Sequence, residues 1–117
     1  MTSSRSHARQ PSASEAQLDA VFHALGHHGR RALLARLARS PAMVTELAAP
    51  FAMSLPAVSR HIRVLEEAGL VTRTVDGRVH RCSLDPRRLK SAREWLDHYR
   101  AFWDESLEAL ARYAEKR

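Results

Sequence analysis

Hydroxyl and guanidinium side chains recur at helical spacing between Ser54 and Arg63, and a second group of arginines follows between Arg73 and Arg81. A guanidinium presents five N–H donors in a planar fork, which suits phosphate and carboxylate oxygens. A serine hydroxyl donates to the same acceptors. Two neighbouring groups of these residue types therefore favour a polyanionic partner.

The charge of the chain supports this interpretation, and its length and apolar runs exclude some classes of protein. The 117 residues carry a net charge of +6, with +5 in residues 15–90 and −1 in residues 91–117. This length fits one domain with an appended helix and excludes a large multidomain enzyme. No apolar run approaches the ~20 residues of a membrane span, and the N-terminus lacks the apolar core of a signal peptide. We therefore expect no membrane partner. A single Cys cannot form an internal disulfide, which favours the reducing cytoplasm as the compartment.

Few residues are arranged for catalysis or for metal binding. We find no Cys–His or Ser–His–Asp set, no phosphate-binding loop and no His-x-x-x-His pair in a suitable context, so we expect no enzyme, no cofactor and no metal. A redox sensor is one interpretation of Cys82, but a lone thiol in a strand is better explained as a small, partly buried apolar residue. The adjacent His27 and His28 are candidate metal ligands or a pH-sensitive hinge, and we favour simple solvent exposure.

The elements that position the basic residues follow from the spacing of apolar side chains. Residues 1–14 have no periodicity and predict a flexible basic tail. Apolar spacing predicts helices over residues 15–25 and 30–38, and a short helix from about residue 44 to residue 51. A fourth helix follows, with Ser54 as its N-cap, Pro56 in its first turn and Gly69 at its end.

The fourth helix has two distinct faces when it is projected at 100° per residue. Val58, Ile62 and Leu65 share one narrow face. The opposite face carries Pro56, Ser59, Arg60 and Arg63, while His61 lies at the margin of the packing face. We therefore expect one face to pack and the other to be presented.

A basic hairpin is predicted directly after this helix. Two runs of β-type residues, 70–75 and 78–84, flank Asp76-Gly77, which is the strongest short hairpin signal in a sequence. The arms carry Arg73, Arg78, His80 and Arg81, with no acidic residue apart from Asp76 in the turn.

The C-terminal segment differs in character, because five of the seven aromatic residues lie between Trp95 and Tyr113. Asp85-Pro86 predicts the start of a final helix that continues to about Ala114. Its apolar residues share an arc of roughly 140°. At roughly 40 Å this helix is longer than the preceding body is wide, so part of it should meet another chain. The predicted homodimer interface comprises Leu18, Phe22, Trp95, Leu96, Tyr99, Phe102, Trp103, Leu107 and Leu110. A ligand pocket lined by the same stripe is an alternative that is compatible with a dimer.

This order of elements is typical of a winged-helix dimer. The stretches FHALGHHGRRALLARLA and SLPAVSRHIRVLEEAGLV, with VDGRVHRCSLDP, closely resemble the ArsR-type winged helix-turn-helix transcriptional regulators of bacteria and archaea, over about residues 16–115. The expected fold is mainly α (α+β), with a two-stranded β-hairpin wing and a long C-terminal dimerisation helix. We expect a tail (1–14), a DNA-binding domain (15–90) and a dimerisation helix (91–117).

The resemblance implies roles for individual residues. The recognition helix of the family corresponds to residues 54–68, with Ser59 and Arg60 at base edges of the major groove. An arginine there can pair with O6 and N7 of guanine. The hairpin would reach the minor groove or the backbone. Together with the projected face of the fourth helix, the resemblance gives the predicted DNA contacts Thr45, Ser54, Pro56, Ser59, Arg60, His61, Arg63, Arg73, Arg78 and Arg81. For His61, a structural contact is an equally weighted alternative.

Two departures from the family separate this chain from its metal-sensing members. Where those carry Cys-Val-Cys-Asp-Leu, this chain has residues 43–47, MVTEL, without either thiol. The last helix has only the adjacent pair Asp97-His98, whose side chains point about 100° apart and cannot chelate one ion together. The chain thus resembles a subgroup without the metal motif.

We predict a prokaryotic homodimeric repressor that binds a palindromic operator in double-stranded DNA, with no effector assigned. Two alternatives are a winged-helix protein-interaction module and a metal-responsive repressor with a non-standard site that uses His27, His28 or His98. The positive charge of residues 15–90 favours DNA over the interaction module.

Overall fold

The computed structural model describes residues 13–116 of the chain. Its regular elements, in chain order, are α1 (Ala13–Leu25), α2 (His28–Leu37), β1 (Ala42–Met43), α3 (Val44–Ala48), α4 (Leu55–Glu67), β2 (Val71–Asp76), β3 (Val79–Leu84), α5 (Arg87–His98) and α6 (Arg100–Glu115). A 3-10 turn, Ala49–Phe51, follows α3. The predicted tail lies outside the described residues except at its end, where α1 begins. The mainly α winged helix-turn-helix fold is confirmed.

α4 begins and ends where local chemistry predicts. The Ser54 hydroxyl accepts a hydrogen bond from the Ala57 N–H at 3.2 Å, which satisfies one of the free donors of the first turn. Pro56 stands in that turn, where a missing N–H costs nothing. Beyond the helix, Gly69 adopts a φ of +78°, a conformation that most side chains avoid. These three residues therefore set where the helix begins and ends.

α2 begins two residues earlier than its apolar pattern predicts. The Gly29 N–H donates to Nδ1 of His27 at 2.9 Å, so an imidazole acts as the N-cap. His27 itself has an extended backbone, as N-cap residues do. The capping nitrogen must be unprotonated to accept this bond. A side chain that was expected to be free in solvent therefore has a structural role.

The wing is an antiparallel hairpin of β2 and β3, in the part of the chain where the hairpin was predicted. Val71 pairs with Leu84 and Asp76 pairs with Val79. Its turn residues are therefore Gly77, with a φ of +63°, and Arg78, one position later than Asp76-Gly77. A third strand, β1, pairs with β3 on its other side and completes a sheet of order β1-β3-β2. Two residues are too few to produce a periodic signal, and the sequence did not predict β1.

The core lies between the helices and the inner face of this sheet. The largest fully buried side chains are Leu33, Leu47, Ile62, Leu65, Leu70, Val21, Val58 and Cys82. Burial of each large aliphatic side chain contributes roughly 1.5–3 kcal/mol. Cys82 is fully inaccessible, and burial raises the pKa of its thiol. Its surroundings therefore favour the apolar role that was expected.

The single final helix that was predicted is divided into α5 and α6 at Tyr99. Tyr99 has φ −102° and ψ 3°, and its N–H bonds to the Leu96 carbonyl three residues back, a tight turn that interrupts the α-helical ladder. α5 begins at Arg87, so the expected domain boundary after residue 90 falls inside a helix. α5 also packs against α1. Every residue of α6 from Arg100 to Glu115 is exposed.

The start of α5 is fixed by Asp85, whose carboxylate accepts hydrogen bonds from both the side chain and the backbone N–H of Arg87. These bonds lower the pKa of Asp85 to about 2. Among residues 13–116, no helix is long and apolar enough to cross a membrane.

Candidate nucleic-acid interface

The face of α4 that was predicted to be presented is open to solvent. Arg60 and Arg63 are exposed and Ser59 is half-exposed, while Val58, Ile62 and Leu65 on the opposite face are fully buried. Neither arginine side chain has an ion pair with any residue that the structure describes. Two free guanidinium groups therefore project from one side of a helix that is anchored on its other side.

The first turn of α4 extends this surface. Ser54 and Pro56 are exposed, and Leu55 between them is 45% exposed. The Ser54 hydroxyl already accepts the capping bond from Ala57, but its own proton stays available to a second acceptor.

A groove of about 390 Å³ connects α4 to the wing. It is lined by Met43, Val44, Thr45, Leu55, Ser59, Arg73, Arg78, Val79 and His80. Thr45 and Arg78, which the sequence assigned to different elements, therefore meet Ser59 at the same depression. The hydroxyl groups of Thr45 and Ser59 and the guanidinium of Arg78 in its lining suit a phosphate oxygen.

Arg78 and Arg81 differ in their relation to this groove. Arg78 lies in the hairpin turn and is exposed. Arg81 is also exposed, but the alternation along β3 places it on the face opposite to His80 and Cys82. The structure thus brings Arg78 together with the α4 residues and does not bring Arg81 to them.

Arg73 departs from the sequence-based expectation, because its guanidinium is already engaged. Nη2 and Nε donate to the two carboxylate oxygens of Glu66 at 2.7 and 3.2 Å, and Nη1 lies 3.1 Å from Nδ1 of His80. The hydrogen bonds to Glu66 are the main cause that raises the pKa of Arg73. The physical reason for the departure is a tertiary ion pair between helix and strand, which no local pattern signals.

His61 follows Arg60 in α4, but its ring makes a contact within the protein. Its ring is half-buried and packs against His27, with the ring centroids 4.6 Å apart. The same His27 ring stacks on His28 at 4.8 Å, which brings three imidazoles together. Burial, and then the neighbouring His27 and Arg30, lower the pKa of His61.

This histidine cluster was missed by sequence reasoning, which treated His27 and His28 as exposed loop residues. Burial, and then His28, Arg30 and Arg31, lower the pKa of His27. Within residues 13–116, no three His, Cys, Asp or Glu side chains are grouped so as to hold a metal ion. His98 lies elsewhere, with its ring edge-on to Tyr99.

The predicted dimer residues form a continuous exposed apolar surface, which we call the apolar stripe. Phe22 on α1 contacts Trp95 edge-on at 5.8 Å between centroids, and Trp95 contacts Tyr99 at 5.1 Å. The stripe runs on through Leu96, Phe102, Trp103, Leu107 and Leu110 to Tyr113, all of them exposed. Leu18 joins it from α1 and is partly packed against the core.

Comparisons with known proteins agree with this geometry. The helix-turn-helix domain family HTH_20 matches residues 25–74. The HTH-type transcriptional regulator Rv2034 of Mycobacterium tuberculosis is 40% identical over 93 residues, which cover 80% of this chain and 84% of that protein.

Two solved structures have the same fold. A crystal structure of an ArsR family transcriptional regulator is 40% identical, with a TM-score of 0.70 over 75% of this chain and 97% of its own. An ArsR-like transcriptional regulator from Rhodococcus sp. RHA1 is 29% identical, with a TM-score of 0.69 over 88% of this chain and 97% of its own.

The matched region contains α2, α3 and α4 and reaches into the wing, so it includes the exposed face of α4. The resemblance that the motifs indicated is confirmed, and the expectation that the chain is not an enzyme agrees with a family of regulators. The chain belongs to the ArsR family of winged helix-turn-helix proteins and is a DNA-binding transcriptional regulator.

Proposed function

We propose that this regulator is a homodimeric repressor that binds a near-palindromic operator. The proposal rests on one observation: a single chain exposes two surfaces of different chemistry, one polar and basic and the other apolar. The α4 face offers free guanidinium and hydroxyl donors, and the apolar stripe offers exposed aromatic and aliphatic side chains. The first face suits DNA, and the second suits another copy of the chain.

In the proposed complex α4 enters the major groove, whose width admits an α-helix. Arg60 and Ser59 contact base edges, with the Arg60 guanidinium positioned for O6 and N7 of a guanine. Pro56 and Arg63 lie at the rim of the groove, where Arg63 binds a phosphate oxygen. Ser54 donates its hydroxyl proton to the backbone, which sets register without selecting sequence.

The groove between α4 and the wing is the proposed seat of a phosphate. Thr45 and Arg78, which both line this groove, donate to the phosphate. Arg81, on the outer face of the wing, contributes at most a flanking backbone contact. We leave Arg73 and His61 out of the proposed contacts, since Arg73 donates to Glu66 and His80, and His61 packs against His27.

A second copy is the proposed occupant of the apolar stripe. Residues 91–117 carry a net charge of only −1, so two copies approach without strong repulsion. An isologous contact covers both stripes at once and leaves no unpaired apolar face. The contact between Phe22 and Trp95 connects the stripe to α1. Pairing through the stripe therefore also fixes the position of the two DNA-binding domains relative to each other.

Pairing of this kind makes the operator palindromic. Two recognition helices enter successive major grooves when they are about 34 Å apart. Two linked copies bind far more tightly than one, because the second contact is intramolecular. We propose that residues 15–90 form the DNA-binding domain, which contacts DNA through α3, α4 and the wing. Residues 91–117, together with Leu18 and Phe22 of α1, pair the subunits in the cytoplasm of a prokaryotic cell. Bound at a promoter, the dimer blocks access and represses.

The proposal is tested by selection of bound sequences from random duplex DNA at two salt concentrations. We expect a two-fold related consensus whose half-sites lie one helical turn apart. Phosphate contacts weaken as salt rises, whereas the preference among sequences persists. An asymmetric single half-site would contradict the dimeric arrangement. Recovery of unselected sequence at both salt concentrations would contradict operator binding itself.

A further inference from the structure

We propose that Glu66, Arg73 and His80 form a clamp that positions the wing against the recognition helix, and that the clamp acts on DNA affinity without contacting DNA. The inference rests on the proposed function, because it concerns how the wing meets the backbone. It assigns to Glu66, an acidic residue next to a polyanion-binding surface, a role that supports binding.

The clamp joins three elements. Glu66 lies in the last turn of α4, Arg73 in β2 and His80 in β3. The Arg73 guanidinium donates to both carboxylate oxygens of Glu66, at 2.7 and 3.2 Å. Because a guanidinium has no acceptor, the 3.1 Å contact with His80 requires Nδ1 of His80 to accept from Arg73.

A two-bond contact of this type fixes orientation as well as distance. The side chains of Arg73 and Glu66 are only 22% and 30% exposed, so water competes less than at an open surface. Arg73 stands opposite the fully buried Cys82, which anchors this end of the hairpin in the core. The turn with Arg78 lies at the far end of the same two strands, where no core residue holds it.

The position of the tip therefore depends on how the hairpin is held around Arg73, towards the end that the core anchors. Arg73 and His80 line the groove that also contains Arg78 and Ser59. If the clamp opens, the hairpin keeps its core packing at Val71 and Cys82 but loses its hydrogen-bonded side-chain contact with α4. Arg78 then no longer shares a fixed phosphate position with Ser59. The recognition helix itself, anchored by Val58, Ile62 and Leu65, is unaffected.

The sign of the effect separates positioning from direct contact. Removing a carboxylate close to DNA raises affinity when only electrostatics act. The clamp predicts the reverse for Glu66→Gln, which keeps the size of the side chain but loses the charged two-bond contact. Glu67→Gln is the matched control, because Glu67 is exposed on the same helix and has no ion pair with another described residue.

We expect Glu66→Gln to bind the selected operator about eightfold more weakly per lost wing contact at 0.1 M salt, because each neutralised phosphate adds ~0.9 to the salt exponent. The salt exponent should fall by about the same ~0.9 for each wing contact that is lost. Glu67→Gln should bind as tightly as the parent or slightly more tightly. A merely structural role would lower the melting temperature but leave the salt exponent unchanged.

A double-variant cycle completes the test. Arg73→Gln alone should weaken binding to a similar extent, and the pair Glu66→Gln with Arg73→Gln should be no weaker than either single variant. Glu66→Asp, which keeps the charge but shortens the side chain, should also weaken binding, and it serves if Glu66→Gln fails to fold.

Three results would overturn the clamp: undiminished affinity in the Glu66 variants, an unchanged salt exponent, or losses that add in the double variant, as independent contributions of the two residues require. Failure of the proposed function has a different signature, namely a parent protein without sequence preference. In that case the same variants measured on any fixed duplex still test the clamp, through the salt exponent.

Discussion

α4 and α6 are amphipathic helices of 13 and 16 residues that meet solvent in opposite ways. The apolar side of α4 is fully buried, so its solvent face is polar and basic. No residue of α6 is buried, and its apolar side is as open as its charged side. α4 has therefore completed its packing within the chain, whereas α6 has not.

The difference explains how one small chain divides its work. The buried face of α4 is satisfied by the core, which leaves the opposite face free to bind a ligand without loss of stability. The exposed face of α6 includes Trp103, Leu107 and Leu110 at about 60% exposure each. Each such side chain gains roughly 1.5–3 kcal/mol when it is fully buried, so the stripe has ample driving force for pairing.

The largest expected effect comes from a charge placed in the stripe. We expect Trp103→Glu to give monomers in sedimentation velocity, because two carboxylates would face an apolar contact. Operator affinity should then fall by about 10²-fold or more, since linked binding contributes 10²–10⁴. Arg112→Glu, on the side of α6 away from the stripe, is the control and should stay dimeric. A dimer of unchanged affinity in Trp103→Glu would show that the interface is elsewhere.

The next effect concerns the free face of α4. Arg60→Ala should lose roughly 1–3 kcal/mol of discrimination per half-site, the value of a two-bond contact with guanine. Arg112→Ala removes the same charge from α6 and should retain the sequence preference. Gel-shift titration with matched and scrambled operators measures both variants. A preserved preference in Arg60→Ala would remove this residue from the base contacts, whereas loss of the dimer would mean that the two helices are not independent.

A smaller effect is expected from acid at the histidine cluster beside α4. The folded-state pKa of His27 is lowered, so the folded chain resists a proton that the unfolded chain accepts near its ordinary pKa of about 6.5. Unprotonated His27 therefore stabilises the fold above a pH of about 6.5, and this stabilisation is lost as the pH falls below that value. His27→Asn keeps an N-cap acceptor without a titrating group.

Thermal unfolding between pH 8 and pH 5 checks this expectation. The parent should lose more stability on acidification than His27→Asn does. Equal pH profiles for the two proteins would show that the cap is not coupled to protonation.

The smallest expected effect is at Cys82, in the part of the core next to Arg73. Burial raises the pKa of its thiol, so the native protein at neutral pH holds little reactive thiolate. We expect iodoacetamide to label the folded protein far more slowly than the denatured protein. Fast labelling of the native state, with a change in DNA binding, would restore the redox-sensor interpretation.

Local chemistry explains which parts of this molecule could be predicted. α4 was predictable because a capping serine, a first-turn proline and apolar spacing agree, and the wing because Asp76-Gly77 separates two β-type runs. The interruption between α5 and α6 at Tyr99 was not predicted, because no proline or glycine in the sequence marks it.

The remaining features depend on tertiary contacts. β1 forms only because β3 offers a free edge to two residues. Glu66 and Arg73 belong to different elements, and His27 meets His61 across 34 positions of sequence. Arg73 was expected at DNA from its place in the basic hairpin and from the family resemblance, and His61 from its place at the margin of the packing face of α4. Neither observation reveals a partner in another element.

In the proposed dimer the apolar stripe sets the distance at which two copies of α4 contact DNA. The most direct test of this arrangement is the affinity of the dimer for the selected operator after insertion of half a helical turn, about 5 base pairs, between the half-sites. We expect a loss of at least about 10²-fold, to an affinity close to that of a single half-site. Undiminished affinity for the lengthened operator would contradict this arrangement.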